Sequence, residues 1–141
     1  ARSPFLLFLH ADTLPPPGAD RIIRDACRKP CTAGGAFDLG INSPKTFYRM
    51  VEAWVRLRTR LTRIPYGDQA IFLKKQVFEK AGGYPEIPIM GRRIVPVARK
   101  AITDPRRWES EGALYCCVRN NLLSTLYYAG VSPWRLKRWY K

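Results

Sequence analysis

Phe5-Leu6-Leu7-Phe8-Leu9-His10-Ala11-Asp12-Thr13-Leu14-Pro15 is the stretch that decides how the chain is read. Five consecutive apolar residues with no polar alternate fit a strand covered on both faces, and such strands belong to mostly parallel sheets flanked by helices. The polar run His10-Ala11-Asp12-Thr13 then falls at the carboxyl end of that strand. Loops converge at this edge in open α/β sheets, so ligands bind there. A carboxylate in such a place can hold a hard divalent cation through oxygen, and the cation can hold a diphosphate. Asp12 can equally serve as the cap of a turn at a strand end.

The chain has 141 residues, enough for one domain with a real core, and no internal repeat. No apolar run approaches the ~20 residues that cross a bilayer, so a cytoplasmic protein is expected. Lys and Arg number 25 against 11 Asp and Glu, a formal charge of +14 that calls for anionic surroundings. The basic residues gather at Arg49–Arg63, Arg92–Arg107 and Arg135–Lys141. Neither zinc-finger spacing nor an RNA-recognition signature accompanies them, which argues against a specific nucleic-acid partner. Trp134, Trp139 and Tyr140 alternate with Arg135, Lys137, Arg138 and Lys141, a pattern suited to an anionic membrane surface and a peripheral place on its inner face. A solvated basic face with aromatic residues closing the core explains the same residues. The cysteines, Cys27, Cys31 and the adjacent Cys116 and Cys117, read as buried free thiols, because His10 is the sole histidine and zinc would want more ligands.

Punctuation sets the remaining elements. Pro15-Pro16-Pro17-Gly18 redirects the backbone before a helix over about Ala19 to Cys27, with Ile22, Ile23 and Ala26 inward. Ala33–Leu39 reads as a short strand whose small residues let something approach its backbone. Ser43-Pro44 predicts an N-cap and first turn for a helix from about Lys45 to Leu61, with Phe47, Val51, Trp54, Val55, Arg58 and Leu61 on one face. Its arginines, Arg49, Arg56, Arg58, Arg60 and Arg63, suit phosphates, lipid head groups or plain solvent. Asp68 stands directly before the apolar strand Ala70–Leu73, where a carboxylate needs a ligand or donors, or caps an Asx-turn. A short helix over Gln76–Ala81 follows, then short strands over Ile94–Ile102 with Arg99 and Lys100 outward. A helix over Gly112–Ala129 carries Leu114, Val118, Leu122, Leu126 and Ala129 on one stripe, and Ser132-Pro133 opens another.

Several motifs in this order resemble family 2 glycosyltransferases, in particular a bacterial branch with His-Ala-Asp in place of Asp-x-Asp: LLFLHADTLPP, Gly34–Leu39, Pro65–Phe72, Gly82-Gly83-Tyr84-Pro85, Arg106-Arg107-Trp108-Glu109 and Gly130–Pro133. The resemblance implies an α/β domain over residues 1–111 with a mixed, mostly parallel sheet flanked by helices, GT-A-like and N-terminally incomplete, and a basic-aromatic helical extension over 112–141 packed on it. It implies a nucleotide-diphosphate sugar donor and an acceptor of unknown identity, a lipid-linked one among the options. Mg²⁺ or Mn²⁺ would be held by Asp12 and His10. Asp68, Gln69, Gly82 and Gly83 would line the cleft, Arg107 would face the donor diphosphate and Trp108 the acceptor.

The departures matter as much. The family's catalytic Glu-Asp, expected after Met90, is absent; Gly91 follows directly, and Glu86, flanked by prolines, is not assigned the role. Either the natural chain lacks the pair or a segment is missing between Met90 and Gly91, whose Cα separation would then exceed the ~3.8 Å of a peptide bond. The upstream nucleotide-binding strands are also absent, which leaves the Phe5–Leu9 strand an open edge for self-association. The alternative function is an inactive or truncated family member acting as a basic membrane-surface or polyanion-binding module.

Overall fold

The computed structural model describes residues 3–82, 93–132 and 135; at Arg107, Ala113 and Tyr128 only the backbone is described. The strands are β1 (Phe5–Phe8), β2 (Thr13–Leu14), β3 (Gly34–Ile41), β4 (Ile71–Lys74) and β5 (Ile94–Thr103). The helices are α1 (Ala19–Ala26), α2 (Thr46–Thr62), α3 (Lys75–Lys80), α4 (Arg106–Glu111) and α5 (Ala113–Tyr128). The chain divides into two units, Ala1–Asp104 and Pro105–Lys141.

In the first unit, β3 is the axis, buried along its whole length. The order β1-β4-β3-β5-β2 makes one mixed sheet in an α/β arrangement. Only β3 and β5 run parallel; β1 with β4, β4 with β3 and β2 with β5 are antiparallel. The sheet is mixed, as expected, but the expectation that it is mostly parallel is corrected. A continuous apolar run reports burial but not the direction of its neighbour, and here β4 returns between β1 and β3. β1 is half-buried rather than covered on both faces, and no described strand lies on its other edge.

The two faces of the sheet are covered separately. Ile23 and Cys27 of the α1 segment pack with Phe37, Phe72 and Ala101 on one face, supported by Ile22, Ala26, Phe5 and Leu7. Ala36, Ile71, Leu73 and Ile94 form the other face, with Phe8 and Phe78 of α3 against them. β3 can lie this deep because of its glycines. A Cβ on Gly35 would stand 2.5 Å from the Phe72 ring, and one on Gly34 would strike the Phe72 carbonyl and the Leu73 side chain. The close approach expected at these small residues is therefore made by neighbouring strands.

α2 is fastened to the sheet by two buried carboxylates. Glu52, 2% exposed, accepts from the Ile41 backbone N–H at 2.7 Å and from Lys100 Nζ at 2.6 Å, and pairs with Arg49 at 2.9 Å. Arg49 also donates to the Ile41 carbonyl at 2.6 Å. Asp38 of β3 pairs with Arg56 at 3.2 Å and with Arg60 at 3.4 Å. Burial pushes the Asp38 pKa up, and Arg60, Arg56 and Lys100 pull against that shift. The outward placement expected of Lys100 is corrected here. A register shift between Phe37 and Asp38 sets Val97 opposite the first and Lys100 opposite the second, so Ala98 and Arg99 bulge out and Lys100 reaches Glu52.

Three further expectations need correction. Lys45, not Ser43, is the N-cap of α2. The face of α2 against the sheet is Tyr48, Val51, Glu52, Val55 and Thr59, while Phe47, Trp54 and Leu61 are exposed. Cys31 is exposed rather than buried; Cys27 and Cys116 are buried free thiols.

In the second unit, α4 precedes α5, and Arg119 of α5 pairs with Glu111 at 2.7 Å. Leu114, Val118 and Leu122 of the expected apolar stripe are exposed, and Cys116 is buried. Gly130 takes φ +88° beyond the helix end, as the glycine there predicts. No described helix is long and apolar enough to cross a membrane.

Glu52→Ala is expected to cost about 2–3 kcal/mol in urea unfolding, since it strips a backbone N–H and two cations of their acceptor. A loss below ~0.5 kcal/mol, the range of a surface change, would show that α2 is held by its apolar contacts alone.

Candidate functional site

Strand direction creates this site. Because β1 and β4 are antiparallel with Phe8 opposite Ile71, the chain leaving β1 and the chain entering β4 meet at one corner of the sheet. Leu9 and His10 continue past β1 into a turn closed by a 3.1 Å bond from the Thr13 N–H to the His10 carbonyl. A single 3-10 turn over Gly67–Gln69 precedes β4. The His10 ring lies against Gly67, where a Cβ would stand 2.5 Å from Nε2 and 3.3 Å from Cδ2. Any side chain at residue 67 would displace the imidazole.

Asp12 has a pinned backbone and an exposed head. Its carbonyl accepts from the Asp104 N–H at 3.3 Å, and the neighbouring Thr13 is buried, its hydroxyl 3.4 Å from both Thr103 Oγ1 and Asp12 Oδ1. The Asp12 residue therefore stands in solvent just beyond the end of β1, as its place after the apolar run predicts.

Asp68 is different. Its Oδ1 is sealed from solvent and meets no hydrogen-bond donor among the described residues. An unsatisfied buried oxygen costs about 1–3 kcal/mol, so this one is held in place by its surroundings. The constraint is its neighbour Gln69, which is fully buried. Gln69 Oε1 accepts from the Tyr66 N–H at 2.9 Å and from Thr59 Oγ1 at 3.0 Å, while Nε2 donates to the Phe37 carbonyl at 3.2 Å. The cleft position expected of Gln69 is thereby corrected, because the residue is fully buried and its amide ties the turn to α2 and β3. Ala70, next along, is buried at φ +46°, a left-handed conformation that costs a non-glycine residue about 1–2 kcal/mol.

Burial pushes the Asp68 pKa up; His10, Arg58 and its own backbone N–H oppose this, and Asp12 adds to it. The carboxyls of Asp12 and Asp68, the imidazole and the Arg58 guanidinium thus share one electrostatic neighbourhood. Arg58 lies over the Tyr66 ring, its Cζ 3.5 Å from the centroid. The sequence places Arg58 on the apolar face of α2 and offers it, with the other arginines of that helix, to phosphates, lipid head groups or solvent, without linking it to Asp68; an arginine spaced with Val51 and Val55 on the inward side of a helix was the available sign.

No family model, no curated protein and no solved structure matches this chain.

The site is not a closed metal cage: among the described residues, no three His, Cys, Asp or Glu side chains group closely enough to enclose an ion. Gly82, at φ +74° with open space within 4 Å of where a Cβ would stand, closes α3 on the surface. Gly83, Glu86, Met90 and Gly91 lie outside the described residues. Arg107 and Trp108 belong to α4 in the second unit, and the Arg107 side chain is not described.

The raised Asp68 pKa has a signed consequence. Between ~3.9 and the higher folded value, the folded chain holds a proton that the unfolded chain releases. Stability from this group is therefore greatest below the unfolded pKa and falls as pH rises through the folded one. Asp68→Asn is expected to abolish that fall and to stabilise the chain at neutral pH by about 1 kcal/mol or more in thermal melts across pH. Parallel pH profiles for the two proteins would contradict the sealed carboxylate.

Proposed function

We propose that the chain is part of a sugar transferase that uses a nucleotide-diphosphate donor, with the corner formed by His10, Asp12, Gly67 and Asp68 at the donor's diphosphate. The observation that carries this reading is the meeting of two motifs far apart in sequence, LHADT at residues 9–13 and PYGDQ at residues 65–69, around a buried carboxylate oxygen with no donor among the described residues. Structural residues seldom keep such an oxygen, whereas binding sites do.

The residues present fit a hard divalent cation of the kind the reading calls for. Asp12 offers the oxygen donor that Mg²⁺ and Mn²⁺ prefer and His10 a nitrogen that Mn²⁺ accepts more readily than Mg²⁺, with the remaining ligands left to phosphate and water. Such an ion, when bound, would offset the charge that develops on the departing diphosphate. Asp12 supplies the oxygen from a backbone fixed to the end of β5. His10 is set by its seat on Gly67, and Asp68 holds a negative charge or a proton according to what stands beside it. Arg58 biases Asp68 towards the ionised form. The described residues contain no assigned catalytic base, and the acceptor stays open.

In binding titrations the chain is expected to take up Mn²⁺ more tightly in the presence of a nucleoside diphosphate, and Asp12→Ala to lower that affinity at least about tenfold, the equivalent of one charge-assisted contact. Gly67→Ala should weaken it as well while leaving the fold intact. In the protein that carries this chain, Asp12→Ala should abolish release of nucleoside diphosphate from a sugar nucleotide. Mn²⁺ uptake indifferent to Asp12 and Gly67 would remove this reading.

A further inference from the structure

α2 has two apolar faces, and the sheet uses one. Val51 and Val55 are buried with Tyr48, Glu52 and Thr59. On the opposite side Phe47, Met50, Trp54, Leu57 and Leu61 form a continuous stripe, spaced three and four residues apart, with exposures of 39%, 68%, 53%, 52% and 75%. A single exposed leucine needs no explanation; a stripe of five along four helical turns does.

The charges beside the stripe are of one sign. Arg49, Arg56 and Arg60 form a row along one border, their side chains 46%, 37% and 46% exposed. Glu52 is the only acidic residue of α2, and it is buried. Four cations, those three arginines and Lys100, face just two carboxylates, Glu52 and Asp38, so the surface beside the stripe keeps a positive excess.

We propose that the outer face of α2 docks on an anionic lipid surface, with Phe47, Met50, Trp54, Leu57 and Leu61 entering the head-group and acyl boundary and the arginine row meeting lipid phosphates. Charge decides between this occupant and others. A second copy would set arginine row near arginine row between chains that each carry a formal +14. A nucleic acid would accept the arginines but has no use for an apolar stripe of this length. An anionic bilayer satisfies both, since aliphatic and Trp side chains enter the interface while arginines extend to phosphate. The inference is independent of sugar transfer, because none of the five stripe residues belongs to the His10–Asp68 corner.

The test is flotation of the purified chain with vesicles of phosphatidylglycerol and phosphatidylcholine in equal parts, against phosphatidylcholine alone. Binding is expected only to the anionic vesicles, and it should fall steeply as salt shortens the screening length from ~10 Å at 0.1 M to ~3 Å at 1 M. Met50→Ser, Leu57→Ser and Leu61→Ser combined should weaken binding on the order of a hundredfold, with circular dichroism confirming the fold. A second measurement does not rely on that variant: brominated anionic lipid should quench the part of the tryptophan fluorescence that Trp54→Phe removes. Failure to bind anionic vesicles, binding unchanged by the triple substitution, or a wild-type dimer that the same substitutions make monomeric would each overturn the proposal. None of these results would alter Mn²⁺ uptake at Asp12, so the two readings fail separately.

Discussion

The antiparallel pairing of β1 with β4 is the constraint from which the candidate site follows. Phe8 opposite Ile71 fixes where both strands end, and the residues just beyond, His10 on one side and Gly67 to Gln69 on the other, must then share a corner. A parallel arrangement would have sent the two polar motifs to corners reached by different loops. At the same corner Ala70 stands at φ +46° and Asp68 keeps a sealed oxygen, two local costs at one place. Costs that coincide with a polar, partly open corner are a common mark of sites that bind something.

Stability and function divide the charges of this basic chain between them. Glu52 and Asp38 each take two cations and join α2 to β3 and β5. Such buried ionic joints contribute modest net stability, but they fix the rotation of a helix that has apolar residues on two faces. With Val51 and Val55 turned inward by that joint, Trp54, Leu57 and Leu61 must turn outward. The ion pairs therefore determine which apolar stripe is offered to the surroundings.

Much of this was legible in the residues. Proline and glycine marked the ends of α1 and α5, and the glycines of β3 announced a close approach. The polar run after Leu9 and the carboxylate before β4 both stand out, for reasons of burial cost that the structure reproduces at Asp68. Sheet direction was not legible, because an apolar run such as Phe5–Leu9 is equally at home beside a parallel or an antiparallel neighbour. Nor was the inward face of α2, since Val51 and Trp54 are both apolar and the long-range partners that select between them, Lys100 for Glu52 and Asp38 for Arg56 and Arg60, cannot be read from the helix alone. Gln69 misled for a related reason: a polar residue within a cleft-like motif can serve as buried scaffolding when three partners surround its amide.

His10 is the only histidine, so its ring protons give isolated resonances that report directly on the corner. The most direct measurement is the nuclear Overhauser effect between those ring protons and the Gly67 α-protons in the folded chain. A strong cross-peak is the predicted result, together with preferential broadening of both sets of signals by substoichiometric Mn²⁺. A folded chain that shows no such cross-peak, with His10 signals indifferent to Mn²⁺, would contradict the joining of the two motifs into one site.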